Sequence, residues 1–557
     1  MFVSSISTTR IYCSDRTVFD RPQRVHFEPQ KVRKPLWSST AAKLFSIRKK
    51  NLLPFLLALC TVQAVEAQLL RHQVETITVV ANAEVDLAVL SGGSSSQQEI
   101  LIVQTPISGK RQPALEQIKS DENYRSVRVF RYSGHKWVAQ FQKKLEEQIS
   151  FVDIAKTAAG FEMFGYKDSS VALFSRTTGM FETLFHSPTM FRSRDDQSSP
   201  LSDMFTDLND DGLDDFMMPD FGGWRIALQD ETGFSPTQVL GSPPSMRMRS
   251  SSLNVAYSAT RPFTVRAVSN DQVDLALWSD ESLAVYRLQP DGRYLQTPIN
   301  LIDNIDGVIS GYSEISIGQT ETGDEKDFYS QILEDIADIN DDGIDDLVVK
   351  RIKSQGVLGW ESDYQMFFGA RQNNGELRFD KMRSTAILSK GFQFDTKLLD
   401  INGDGTLEFI ITSAKISLGA IVRVLLTRSA KLEVSVFSLK DGQFPEKPTA
   451  KKIISAQINF KSGSVSVPAV LTADVNGDGL KDLLVQNDSS ELAIYLGEPS
   501  DRLFAKNSTK IRLNLPKTSS DYLVYDLDND GQDELILTIQ EEQTTKVSVV
   551  RFGSRAE

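Results

Sequence analysis

Residues 474–485 read "DVNGDGLKDLLV". Acidic or amide side chains stand at positions 1, 3, 5 and 9, a glycine at 6, and an apolar run follows. Carboxylates this close repel one another unless a cation sits between them. The stretch recurs as "DLNDDGLDDFMM" from Asp207, "DINDDGIDDLVV" from Asp338, "DINGDGTLEFII" from Asp400 and "DLDNDGQDELIL" from Asp526. One copy of D-x-[DN]-x-D-G-x-x-[DE] is a weak signal, but five in one frame with one downstream pattern are a strong one.

The spacing suits a hard cation. Ca²⁺ takes about six to eight oxygen ligands. Positions 1, 3 and 5 of a tight loop turn their oxygens inward, and glycine at 6 permits the reversal. Position 7 offers a backbone carbonyl, so its side chain varies. Position 9 closes the site with a carboxylate. The candidate ligands are Asp207, Asn209, Asp211, Leu213 and Asp215, then Asp338, Asn340, Asp342, Ile344 and Asp346. Asp400, Asn402, Asp404, Thr406 and Glu408 follow. The last two sets are Asp474, Asn476, Asp478, Leu480 and Asp482, and Asp526, Asp528, Asp530, Gln532 and Glu534. About five Ca²⁺ are expected.

An EF-hand needs a bidentate Glu at position 12. Here that position is Met218, Val349, Ile411, Val485 or Leu537, all apolar, so the EF-hand is excluded. The apolar runs predict buried strands, not helices. Degenerate copies near residues 86, 162 and 274 have lost the acidic ladder and are expected to bind no calcium. With them, the units recur at a mean of about 64 residues, which fits a four-stranded propeller blade.

These residues resemble the FG-GAP/VCBS repeat family, whose best-known members are the calcium-binding β-propellers of integrin α-subunit heads. The resemblance covers most of residues 75–557. It implies an all-β propeller, with the acidic loop between the first two strands of a blade and the residues named above as ligands. Seven or eight blades are expected, with eight preferred. The chain ends soon after "VSVVRF" (547–552), short of a full last blade, so a strand within 74–80 is expected to complete it.

The N-terminus reads as a targeting signal. Arg48, Lys49 and Lys50 precede the apolar stretch 51–64, too short to span a bilayer comfortably, and small residues allow cleavage after Ala67. Residues 1–67 are thus expected to be an extension plus signal peptide, and 68–557 one propeller. That segment carries 11 basic and 4 acidic residues, so its loss takes the net charge from −13 to about −20. Such a charge disfavours nucleic acid as a partner. Both cysteines, Cys13 and Cys60, fall inside it. An exported protein without disulfides needs another staple, and metal is the usual candidate.

No Walker loop, dinucleotide fingerprint or G-x-S-x-G elbow is present. His72, His135 and His186 lie in no metal-ligand spacing. Five equal acidic sites point to staples rather than to one catalytic carboxylate pair. The long acidic segment 303–330 and the basic segment 242–252, with Arg247 and Arg249, are loops that could meet a ligand. The expected function is an exported, calcium-stabilised module, adhesin-like or part of an envelope assembly, that binds a protein or glycan. It is secreted, periplasmic or on the cell surface, with no membrane span in the mature chain. The alternative is a calcium-dependent, lyase-like enzyme on a polysaccharide, which needs a base and a neutralising group in one cleft.

Overall fold

The computed structural model describes residues 71–553. The main gaps are 91–97, 107–124, 191–202, 302–307, 310–327 and 355–359, with shorter ones elsewhere. The signal-peptide reading and most of segment 303–330 lie outside the described residues. Among the described residues, the unit spanning His72–Phe552 is almost wholly β-structure, in eight sheets of four or five strands and two two-stranded hairpins.

Blade 1 consists of Ala83–Val89, Glu99–Pro106, Ser126–Ser133 and Lys136–Lys144. Blade 2 is Ile149–Thr157, Gly160–Lys167, Ser170–Ser175 and Met180–His186. Blade 3 is Phe205–Thr206, Asp215–Asp220, Gly223–Ala227 and Gln238–Leu240. Blade 4 is Phe263–Val265, Asp274–Ser279, Ser282–Tyr286 and Ile299–Asn300. Blade 5 contains Phe328–Ala337, Asp346–Ser354, Trp360–Arg371 and Leu377–Lys390, with Val308–Ile309 added in parallel. Blade 6 is Phe392–Leu399, Glu408–Ala414, Ser429–Phe437, Ala450–Asn459 and Ser464–Ser466. Blade 7 is Val470–Ala473, Asp482–Gln486, Glu491–Tyr495 and Thr509–Arg512. Segment 242–252 contributes to a separate hairpin, Met246–Arg249 with Asn254–Tyr257.

Blade 8 takes three strands from the end of the chain, Tyr522–Tyr525, Glu534–Gln540 and Thr545–Gly553. Its fourth is Arg71–Val79 from the beginning. The Thr76 and Ser548 hydroxyls lie 3.2 Å apart across this seam. The blade count is therefore eight, and the first and last described strands share one sheet. Full closure removes the unpaired edge that an open sheet would present.

Packing follows from the strand sequences. The second strands, such as "DLLVQ" and "EFIITSA", are buried along nearly their whole length because both faces meet neighbouring blades. Separate apolar clusters join blade 1 to 2, 2 to 3, 3 to 4, 4 to 5, 5 to 6 and 6 to 7. A further cluster joins blade 8 to blade 1: Ile77, Val79, Leu527, Ile536, Val547 and Val549 pack with Ile100 and Ile102. Among the described residues no helix is long and apolar enough to cross a membrane.

One sequence frame is corrected. Asp86 sits inside the first strand of blade 1, paired with Val103. The blade-1 counterpart of position 9 is Glu99, which opens the second strand. The repeat is one strand out of phase there because "VDLA" at 85–88 imitates the strand that follows an acidic loop. Near 162, a two-residue turn joins Thr157 to Gly160 in place of a loop. Asp274 lies at the start of its second strand, as expected.

Candidate functional site

Each of the five acidic stretches joins the first strand of a blade to the second, in blades 3, 5, 6, 7 and 8. Within each, one oxygen of the position-1 Asp accepts the backbone N–H of the position-6 glycine. The distances are 2.9 Å at Gly212, 2.8 Å at Gly343, 2.9 Å at Gly405, 2.8 Å at Gly479 and 3.0 Å at Gly531. The position-5 Asp accepts from the N–H of position 7 in all five. These bonds curl the loop and hold its carboxylates together, whatever the tendency of like charges to part.

Two further positions enforce the curl. Position 4 is left-handed in every copy: Asp210 (φ 63°), Asp341 (φ 56°), Gly403 (φ 73°), Gly477 (φ 72°) and Asn529 (φ 55°). Only Gly, Asn and Asp tolerate that backbone readily. Position 2 is an apolar plug, Leu208, Ile339, Ile401, Val475 or Leu527, each at most 2% exposed. Both signals stand in the sequence, as an apolar residue at position 2 and Asp, Gly or Asn at position 4 of every copy.

The position-9 carboxylates are the buried ends of the loops. One oxygen of each accepts the N–H of its plug residue: Leu208 to Asp215 and Ile339 to Asp346, Ile401 to Glu408, Val475 to Asp482 and Leu527 to Glu534. The other oxygen of Asp215, Asp346 and Asp482 accepts an N–H beyond or within the third strand, from Gln229, Gly369 and Gly497. Burial, reinforced by the like charges at positions 1 and 5, pushes the Asp346, Glu408 and Asp482 carboxyls up to about 7. The same causes push Asp215 up to about 8. Glu408 Oε1 is buried without a hydrogen-bond partner. An all-oxygen donor set that strains to stay ionised fits a divalent hard cation.

In the blade 3, 5, 6 and 7 loops the position-3 Asn donates its side-chain amide to the position-5 Asp, at 2.9 Å from Asn209, 3.1 Å from Asn340, 3.0 Å from Asn402 and 2.9 Å from Asn476. Its own carbonyl oxygen accepts the N–H of position 5. Blade 8 differs. Asp526, Asp528 and Glu534 bring carboxylate oxygens within 4.8 Å of one another.

The loops also touch one another. The position-8 N–H reaches back to the preceding blade: Leu407 to the Ile339 carbonyl (2.9 Å), Lys481 to Ile401 (2.8 Å) and Asp533 to Asp474 (2.6 Å). Asp214 likewise donates to Lys156 of blade 2. The Asp533 carboxylate returns the bond by accepting the Asp474 N–H, and it pairs with Lys481. Blade 4, which lacks the ladder, contributes Arg266. Its guanidinium bridges Asp210 of the blade 3 loop and Asp345 of the blade 5 loop.

Residues 474–537, from the blade 7 loop into the second strand of blade 8, match the family described as FG-GAP-like repeat. The same loop geometry recurs in three other blades. This eight-bladed propeller carries an FG-GAP-like repeat. No curated protein matches this FG-GAP propeller. Among solved structures it is similar to Sqt1 from Chaetomium thermophilum, at 11% identity and TM-score 0.37, over 86% of this chain and 100% of that one. It is similar to the WD40 domain of SCAP from fission yeast, at 10% identity and TM-score 0.29, over 87% and 98%. A third likeness is to the V. cholerae biofilm matrix protein Bap1, at 13% identity and TM-score 0.28, over 86% and 89%.

Glycines 369 and 497 close the third strands of blades 5 and 7 against the loops of this FG-GAP propeller. A Cβ on Gly369 would stand 2.3 Å from the Asp345 carbonyl oxygen. Gly369→Ala is therefore expected to cost about 2–4 kcal/mol in urea unfolding, by forcing the loop off the strand that satisfies Asp346. A cost within about 0.5 kcal/mol of zero, the range of a neutral surface change, would show that the two backbones separate freely.

Proposed function

We propose that this is an exported, calcium-stabilised propeller whose work is to bind a partner protein. The loops of blades 3, 5, 6 and 7 hold Ca²⁺ through the oxygens of positions 1, 3, 5, 7 and 9. The ions neutralise the carboxylates, and the position-8 bonds of blades 3, 6 and 7 tie those loops to the blade before.

The observation that carries the binding reading is helix α1, Leu418–Thr427, inserted between the second and third strands of blade 6. It is capped at both ends by its own chain. The Ser417 side chain accepts from the Ala420 N–H, and the left-handed Arg428 donates its N–H to the Val424 carbonyl. It thus holds its form without a partner. Yet Leu418, Val422, Leu425 and Leu426 are 70%, 54%, 65% and 79% exposed. Their spacing of i, i+4, i+7 and i+8 sets them on one stripe, the pattern by which a helix seats in an apolar groove. Covering such a side chain contributes about 1.5–3 kcal/mol. Arg423 and Arg428 are exposed beside the stripe, so the partner's groove is apolar with an acidic rim.

The test places a photo-crosslinking amino acid at position 426. A single saturable protein adduct, lost in Leu425→Asp while the melting temperature is unchanged, supports the proposal. Absence of any adduct overturns it, as does flotation of the purified protein with vesicles of phosphatidylcholine and phosphatidylglycerol that Leu425→Asp abolishes. The second result would make α1 an interfacial membrane helix.

A further inference from the structure

We infer that in blade 8 the guanidinium of Arg551 takes the place of the calcium ion, so that the loop 526–534, although it carries the full acidic ladder, binds no metal. The inference rests on the calcium reading of the other loops.

Arg551 leaves the third strand of blade 8 and lies over the loop. Its Nη1 donates to Asp528 Oδ2 at 3.0 Å and to Glu534 Oε1 at 2.8 Å. These are the position-3 and position-9 groups. A cation already sits between the carboxylates that a Ca²⁺ would need. The side chain is only 14% exposed, so this is a built contact and not a wandering surface pair. Nη2 donates to the Gln98 side-chain oxygen, and the Gln98 amide donates to Asp528. The guanidinium carbon lies over the Tyr132 ring, 4.4 Å from its centre, and Nε lies 3.9 Å from Glu75. Tyr132 also donates to Glu75. Arginine, planar and always charged, suits such a multidentate position better than any other cationic side chain.

The strand register supplies a second, independent argument. The residue of the third strand that faces position 9 follows from the pairs next to it. In blades 3, 5, 6 and 7 the pairs Phe216 with Ala227, Leu347 with Phe367, Phe409 with Phe437 and Leu483 with Tyr495 place Leu228, Phe368, Ser438 and Leu496 there. None is a cation. In blade 1 the position-9 equivalent Glu99 pairs with Arg131, which forms a salt bridge to it. In blade 4 the pair Leu275 with Tyr286 places Arg287 opposite Asp274. Blades 1 and 4 are two of those that have lost the acidic ladder. Blade 8, with Leu535 paired to Val550, places Arg551 opposite Glu534 and so joins them. Its position 3 departs in the same sense: Asp528 replaces the Asn of the other four loops, adding one negative charge where one positive charge has been supplied.

The arrangement also has a location that explains it. Gln98 and Tyr132 belong to blade 1, Glu75 to the N-terminal strand and Arg551 to the C-terminal strand. The internal cation therefore fastens the seam at which the first and last described strands meet, independently of calcium.

Bound calcium per chain of the purified protein, measured by equilibrium dialysis and atomic emission, tests this. Wild type is expected to hold four ions, Asp530→Ala four, Asp478→Ala three and Arg551→Met five. Five ions in wild type, or a fall of one on Asp530→Ala, overturns the inference while leaving the calcium reading intact. The Asp530→Ala comparison leaves Arg551 in place, so it decides the matter even where Arg551→Met fails to fold. No calcium in any of the proteins overturns both readings.

Discussion

Stripping calcium from the protein with a chelator is expected to lower its melting temperature by about 10 °C. A ligand at a hundredfold its dissociation constant stabilises by about 2.7 kcal/mol per site, so four loops give roughly 11 kcal/mol. An unfolding entropy of about 2.1 cal/mol/K per residue makes one degree worth about 1 kcal/mol for a unit spanning residues 72–552. The effect has a pH signature. Asp215, Asp346, Glu408 and Asp482 have native pKa values raised above their unfolded ones, to about 8 for Asp215 and about 7 for the rest. Without calcium the native state therefore holds more protons than the unfolded state. That stability is present at the unfolded carboxylate pKa, near pH 4, and is lost as pH rises through 7 to 8. With saturating calcium the ion displaces those protons, so affinity and stability rise over the same window. The gap between the calcium and chelator melting curves should widen from pH 6 to pH 8. A chelator without effect at either pH would remove the staple reading.

The second large effect concerns closure. A chain begun at residue 81 lacks the strand Arg71–Val79 and is expected not to give a soluble monomer with a sharp unfolding transition. Ile77 and Val79, 4% and 0% exposed, leave the cluster that joins blade 8 to blade 1. Truncating such a side chain alone costs about 2–5 kcal/mol. The strand Thr545–Gly553, buried along most of its length, becomes a free edge, and free apolar edges aggregate. Glu75 is lost from beside Arg551 at the same time. Ile77→Ala should show the packing part of this loss alone, as a drop in melting temperature with the monomer retained. Size-exclusion chromatography and circular dichroism read both variants. A truncated chain that eluted as a monomer and melted sharply would make the terminal strand dispensable.

Much of the propeller and of its loops was legible because the information is local. Nine residues suffice to write an acidic loop. Asp at 1, Asp at 5 and glycine at 6 choose their own hydrogen bonds within the turn, and the apolar run after position 9 can only be a buried strand. Repetition of that unit gave the all-β propeller class. The degenerate blades were harder to place. With the loop gone, "VDLA" at 85–88 carries nothing to distinguish a first strand from a second, and the frame slipped. Helix α1 escaped the sequence reading because "LGAIVRVLLT" is an apolar run flanked by strands, and periodicity alone does not separate a short buried strand from an exposed helix.

The sequence by itself determined which loops are acidic, which blades have lost the ladder and which residues could ligate a cation. Tertiary structure decided that there are eight blades, since the ring closes only when a strand from residues 71–79 meets one from 545–553. It also decided what faces each position 9. Arg551 lies 17 residues from Glu534, and nothing in either stretch names the other. The hairpin register brings them together, and the same register gives the other four loops Leu228, Phe368, Ser438 and Leu496 instead. Local chemistry writes the acids of a loop, whereas the cation that answers them comes from across the sheet, at a distance only the fold sets.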